Sequence, residues 1–174
     1  MATEMYPTDH SVGIGMVLVA GMGNVLRLDD GFGVEAARRL QSCELPENVR
    51  VVEAGISGIS LVQEMLDGYD ALILLDAVDR GGEPGTIYVL EPQIDDLGAY
   101  EPTARQDFLA DMHYATPQRV LILARALGVL PPRVLVVGCQ VQHCDDLGTE
   151  LSVPVSSAVV EAVATTLRLL QIES

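Results

Sequence analysis

The chain has 174 residues and carries 10 Lys and Arg against 25 Asp and Glu, a formal net charge of −15 at pH 7. Nucleic-acid binding needs Lys/Arg stripes that neutralise phosphates, and an anionic membrane surface repels such a chain, so both classes are set aside; a cationic or metal-carrying partner fits better. With 49% apolar residues and a mean hydropathy of +0.30, the length suits one domain with a real core and excludes disorder for most of it. No apolar run approaches the ~20 residues of a spanning helix. The acidic start is no secretory signal, and three cysteines imply no disulfide framework. The expectation is a reduced, cytoplasmic setting.

In chain order, residues 1–13 read as a disordered tail and 14–174 as a single α/β domain. The apolar run 16–20, closed by Gly21-Met22-Gly23-Asn24, predicts a buried strand that stops in a tight loop. Phe32, Val34, Ala36, Ala37 and Leu40 recur at helical spacing and predict a helix over 31–42. A second strand is expected over 49–54 and a short helix over 59–66. Residues 71–76 are apolar on both faces, as a strand covered on both sides requires. A fourth strand is expected over 85–90. A helix follows over 116–127, with Thr116 as N-cap, Pro117 at the first helical position and Gly128 at the exit. A fifth strand is placed at 133–138 and an amphipathic helix at 152–170.

Strands alternating with helices imply a three-layer α/β/α sandwich. The link 77–84 is too short for a crossover to a parallel neighbour. The sheet is therefore expected to be five-stranded and mixed, with its fourth strand antiparallel. Residues 91–115 must then return across the sheet and are read as a long, acidic loop, a kind that is often functional.

In such sheets ligands collect at the carboxyl ends of the strands, where the strand order reverses. The loop after the first strand brings Gly21, Gly23, Asn24, Asp29 and Asp30 to that edge. The third strand ends there in Asp76, with Asp79 just beyond, and His113 lies just upstream of the Thr116 cap. Two carboxylates and one imidazole thus converge by topology, leaving open positions for a borderline divalent ion such as Ni²⁺ or Zn²⁺. Each has a plain structural explanation as well. Asp29 or Asp30 would serve as a helix cap, Asp76 would be satisfied by a neighbouring amide, and a lone histidine is more often just a loop residue. Only their conjunction lifts them above those explanations.

Other chemistries find less support. Val19-Ala20-Gly21-Met22-Gly23-Asn24 resembles the start of a dinucleotide fingerprint, with Glu53 where a ribose-binding acid would sit. Position 26 is Leu, however, so the third glycine is missing. Cys139, His143 and Cys144 form one short cluster rather than the two spaced sets of a zinc site, and are read as an exposed loop with incidental thiols. There is no G-x-S-x-G elbow, H-E-x-x-H or Walker loop.

Gly21-Met22-Gly23-Asn24-Val25-Leu26, continuing into Asp29-Asp30-Gly31-Phe32-Gly33-Val34, resembles the opening motif of the [NiFe]-hydrogenase maturation endopeptidases. The likeness extends through Leu75-Asp76-Ala77-Val78-Asp79 and Pro84-Gly85-Thr86. It resumes at His113 in His-x-x-x-Pro, then over 121–128 and the final helix, covering about residues 16–170. The resemblance implies the phosphorylase/hydrolase-like fold of that family. It also implies removal of a C-terminal extension from the hydrogenase large-subunit precursor after nickel insertion. Asp30, Asp76 and His113 match its metal-contacting positions and are the expected catalytic residues, with Gly21, Gly23, Asn24 and Asp29 shaping the loop around them.

The implied metal is nickel carried by the precursor, with no organic cofactor, and the expected partner is the C-terminal region of the large-subunit precursor. In this mechanism the triad completes the nickel coordination, while the metal or an ionised carboxylate activates water and the ion polarises the scissile carbonyl. Asp30 and Asp76 both remain open as the base. Residues 91–112 and 139–150 are expected to rim the cleft and choose the cognate precursor. The competing readings are a non-catalytic nickel or assembly factor using the same site, and the dinucleotide-binding oxidoreductase.

Overall fold

A computed structural model describes residues 15–110 and 116–171; the expected tail, 1–13, lies outside them. Five strands form one sheet in the order β2-β1-β3-β5-β4. These are β1 (Val17–Met22), β2 (Val49–Gly55), β3 (Ala71–Val78), β4 (Ile87–Leu90) and β5 (Arg133–Gln140). All neighbours pair parallel except β4, which runs antiparallel to β5, with Ile87 opposite Cys139 and Leu90 opposite Val136. The sheet is the expected mixed one. β4 sits beyond β5 rather than beside β3, and buried Gln140 at the end of β5 anchors the connecting turn. Its Oε1 accepts from Arg80 N (2.8 Å) and Gly82 N (3.2 Å), and its Nε2 donates to Asp79 Oδ1 (2.9 Å).

The strand pattern explains the layers. Alternate residues of a strand point to opposite faces, and in β1 both sets are apolar. Val17 and Val19 join Phe32, Ala36, Leu40, Ile73 and Val155 in the core against α1 (Phe32–Gln41) and α5 (Val153–Leu169). Leu18, Ala20 and Met22 join Leu61, Met65, Leu72 and Leu121 in the core against α2 (Gly58–Met65) and α4 (Pro117–Ala126). Each fully buried Leu or Ile contributes roughly 1.5–3 kcal/mol relative to exposure, so the two covered faces dominate the stability.

Glycines fix how closely α1 sits on the sheet. A Cβ on Gly33 would lie 2.1 Å from the carbonyl oxygen of Leu75 and 2.3 Å from that of Met22. Only a glycine lets the first turn of α1 rest on the ends of β1 and β3. α4 begins as expected, Thr116 Oγ1 accepting from Arg119 N (3.3 Å), and ends at Gly128, whose φ is +71°.

The expected long loop is corrected. Residues 97–99 form a 3₁₀ turn and Pro102–Ala110 forms a further helix, α3. Phe108 is its buried residue, so it carries no apolar stripe for a periodicity to show. It is held to α4 instead by side chains: Arg119 Nη2 donates to Phe108 O (2.6 Å) and its guanidinium lies 4.4 Å above the Phe108 ring. No described helix is long and apolar enough to cross a membrane.

Candidate functional site

β1 pairs with β2 on one side and β3 on the other, so the strand order reverses at β1/β3, and the crevice beyond their carboxyl ends is where such sheets bind ligands. A cavity of about 400 Å³ lies there, lined by residues that include Gly23, Asn24, Arg27, Asp30, Ile56 and Asp76, with Thr116 on its α4 side.

The β1–α1 loop builds one wall. Gly23 turns with φ +121°, and a Cβ on it would fall 1.8 Å from the Asp30 carbonyl oxygen. Asn24 Oδ1 accepts from Leu26 N (2.9 Å), closing an Asx turn, and Asn24 N donates to Asp30 Oδ2 (2.9 Å). The Asn24 amide therefore holds the Asp30 carboxylate directly, while Gly23 lets the loop pass close to the Asp30 backbone. Neither aspartate caps a helix through its side chain.

Asp29 has the opposite surroundings. It is fully buried and accepts from Gln142 N (2.8 Å), His143 N (2.9 Å), Ser152 N (2.7 Å) and Ser152 Oγ (2.9 Å). Burial alone would raise its pKa, but these donors outweigh that and hold it below the ordinary value of 3.8. Asp29 thus ties the β1–α1 loop to the β5–α5 link and to the start of α5.

Asp76 projects from the end of β3 as the facing wall. Its pKa is pushed up to about 7, first by burial and then by the charge of Asp30, against the lowering effect of the Ala77 amide. Two carboxylates near enough to repel across a hollow make a natural seat for a divalent cation, which removes the repulsion. Among the described residues no group of three metal-ligating side chains occurs; His113 lies outside them, and so does the comparison with the expected triad.

Several other expectations change. Asp79 belongs to the β3–β4 turn: Gln140, and after it the Gly81 amide (3.1 Å), lower its pKa. Glu53, the candidate ribose acid, is ion-paired with Arg38 at 2.9 Å. Cys139 is not on an exposed loop but fully buried in β5, with its thiol pushed up to about 12 by burial. The described parts of 91–112 and 139–150 do not line the cavity. Residues of 95–108 line a neighbouring hollow of about 490 Å³ instead, and Thr116 borders both. Sequence reasoning missed Arg27 and Ile56 as wall residues. Arg27 lay inside the opening motif without a chemical role, and Ile56 follows β2, which carried no candidate except Glu53.

The model of the hydrogenase maturation protease family (HycI) matches residues 34–169. The hydrogenase expression/formation protein HupD of Rhizobium leguminosarum bv. viciae is 35% identical over 156 residues, covering 89% of this chain and 74% of that protein. The crystal structure of hydrogenase 2 maturation peptidase from a Thaumarchaeota archaeon is 33% identical, with a TM-score of 0.65 over 90% of this chain and 99% of that one. The hydrogenase maturating endopeptidase HybD of E. coli is 26% identical, with a TM-score of 0.68 over 89% and 91%.

Proposed function

The chain belongs to the hydrogenase maturation protease family and is a hydrolase; on that footing we propose that it removes the C-terminal extension of a [NiFe]-hydrogenase large-subunit precursor once nickel is in place. The observation that carries this reading is the pair Asp30 and Asp76, facing one cavity at the β1/β3 reversal with the Asp76 pKa raised to about 7.

The nickel is cargo of the substrate. Asp30, Asp76 and His113 are the residues proposed to contact it, so that a precursor without metal lacks the cation that brings its scissile bond between the carboxylates. A carboxylate with a pKa near neutrality is suited to take a proton at working pH. Water oxygen adds to the carbonyl carbon as one of its protons passes to Asp30 or Asp76, whichever has been freed from the metal. Collapse of the tetrahedral species then breaks the C–N bond, and that proton leaves with the amine. Asp29 supports the reaction by fixing the loop that carries Asp30, and the hollow beside Thr116 supports a substrate-contacting role for 91–110.

Mixing nickel-loaded precursor with substoichiometric protein tests the assignment by mass spectrometry. The expected product is a precursor shortened only at its C terminus, with many molecules cut per molecule of protein. An intact precursor, or cuts elsewhere in it, contradicts the reading.

A further inference from the structure

The carboxylates account for metal contact and proton transfer, but they are acceptors. An addition to a peptide carbonyl also develops negative charge on the carbonyl oxygen, and donors placed there contribute heavily to rate. Among the side chains lining the cavity, donor capacity rests with Asn24, Arg27 and Thr116. Asn24 and Thr116 are committed to local structure through their oxygens: Asn24 closes the turn at Leu26, and Thr116 caps α4.

Arg27 is placed differently. Its backbone is pinned on both sides: Arg27 N donates to Asn24 O (3.0 Å) and Arg27 O accepts from Asp30 N (3.1 Å). Arg27 is half-buried and lines the cavity, yet its guanidinium has no hydrogen-bond or ion-pair partner among the described residues. It neutralises neither carboxylate through an ion pair, although both line the same hollow. Its charge is felt at Cys144 in the β5–α5 link, where it opposes the rise that burial and Asp145 impose on the thiol. A guanidinium on a residue that lines an acidic cavity, with its donors unengaged among the described residues, has no structural use there that the described contacts reveal.

We propose that Arg27 is a further catalytic residue: its guanidinium donates to the carbonyl oxygen of the scissile peptide and stabilises the oxyanion formed when water adds. This rests on the proteolytic reading above and adds a contact from this chain to whatever polarisation the substrate's nickel provides. When the water oxygen bonds to the carbonyl carbon, the carbonyl π pair moves onto oxygen, and Arg27 donates to that oxygen until collapse restores the C=O bond and expels the amine. Arg27 keeps its proton throughout.

The test measures processing of nickel-loaded precursor by wild type, Arg27→Met, Arg27→Lys and Arg27→Ala, each with its fold checked by circular dichroism and thermal unfolding. Removing an oxyanion donor lowers kcat roughly a hundredfold. That loss is expected for Met and Ala, with KM changed less than about twofold, and a smaller loss for Lys, which keeps the charge without the fork. Free guanidinium below denaturing concentration is expected to raise kcat of Arg27→Ala about tenfold or more while leaving Arg27→Met, whose side chain fills the space, unchanged. Wild-type kcat in the folded Met or Ala variants, or no response of Arg27→Ala to guanidinium, overturns the proposal. Failure of the wild type to cut the precursor overturns the proteolytic reading instead, so the two failures are distinct.

Discussion

Asp29 and Asp30 are adjacent in sequence but face opposite environments, and with Asp76 they show how burial is used in two ways. Asp29 is buried among four donor contacts that favour its charge. Its folded pKa is lowered, so it contributes stability above the ordinary value of 3.8 and loses it as pH falls through the folded value. Asp76, half-buried near the end of β3, is desolvated and feels the charge of Asp30, with a folded pKa of about 7 against an ordinary 3.8. The native state therefore holds a proton there that the unfolded chain releases. This relative stabilisation is lost as pH rises from about 4 to 7, leaving a charge that costs about 4 kcal/mol above that window. Urea unfolding should separate the two. Asp29→Asn is expected to destabilise by about 2–4 kcal/mol at pH 7, with the gap closing below about pH 4. Asp76→Asn is expected to stabilise at pH 8, with the gap closing as the pH is lowered to 4. Destabilisation by Asp76→Asn at pH 8 would mean that this carboxylate serves the fold rather than a ligand. The sequence showed that acids gather at this edge. It did not show which of the paired aspartates is structural, because the donors come from residues 142–152, more than a hundred positions away.

The strands and the helices with a strong apolar stripe are legible in the sequence because their cores are local patterns: two apolar faces in β1 and β3, and one face in α1 and α5. The antiparallel β4 was legible from the shortness of the link before it. α3 was not, since it packs through Phe108 and through side-chain bonds to its neighbours. Arg119 of α4 holds Phe108 O (2.6 Å), and Arg105 of α3 reaches back to Gly98 O (2.9 Å). An element with so little buried apolar area opens more readily than the core. Amide hydrogen exchange is expected to show α3 exchanging well below the global unfolding free energy and α1 close to it. If α3 proved as protected as α1, the arginine contacts would be supplying core-like stability.

For the whole molecule, the site is a consequence of topology. Placing β2 and β3 on either side of β1 opens the crevice, and the glycines that seat α1 on the strand ends put Asp30 opposite Asp76. That much followed from chain order and from where the polar residues fall. The expected imidazole, His113, lies outside the described residues, and Arg27, without a side-chain partner among the described residues, emerges only in three dimensions. With a net charge of −15, the chain is suited to approach a partner through a cationic or metal-bearing surface. Comparing processing rates on nickel-loaded and nickel-stripped precursor, for wild type and for Asp30→Ala, Asp76→Ala and His113→Ala, tests this most directly. Cleavage by the wild type is expected only of the loaded precursor, falling by a hundredfold or so in each variant. Equal cleavage of both precursor forms, or wild-type rates in the three folded variants, would contradict it.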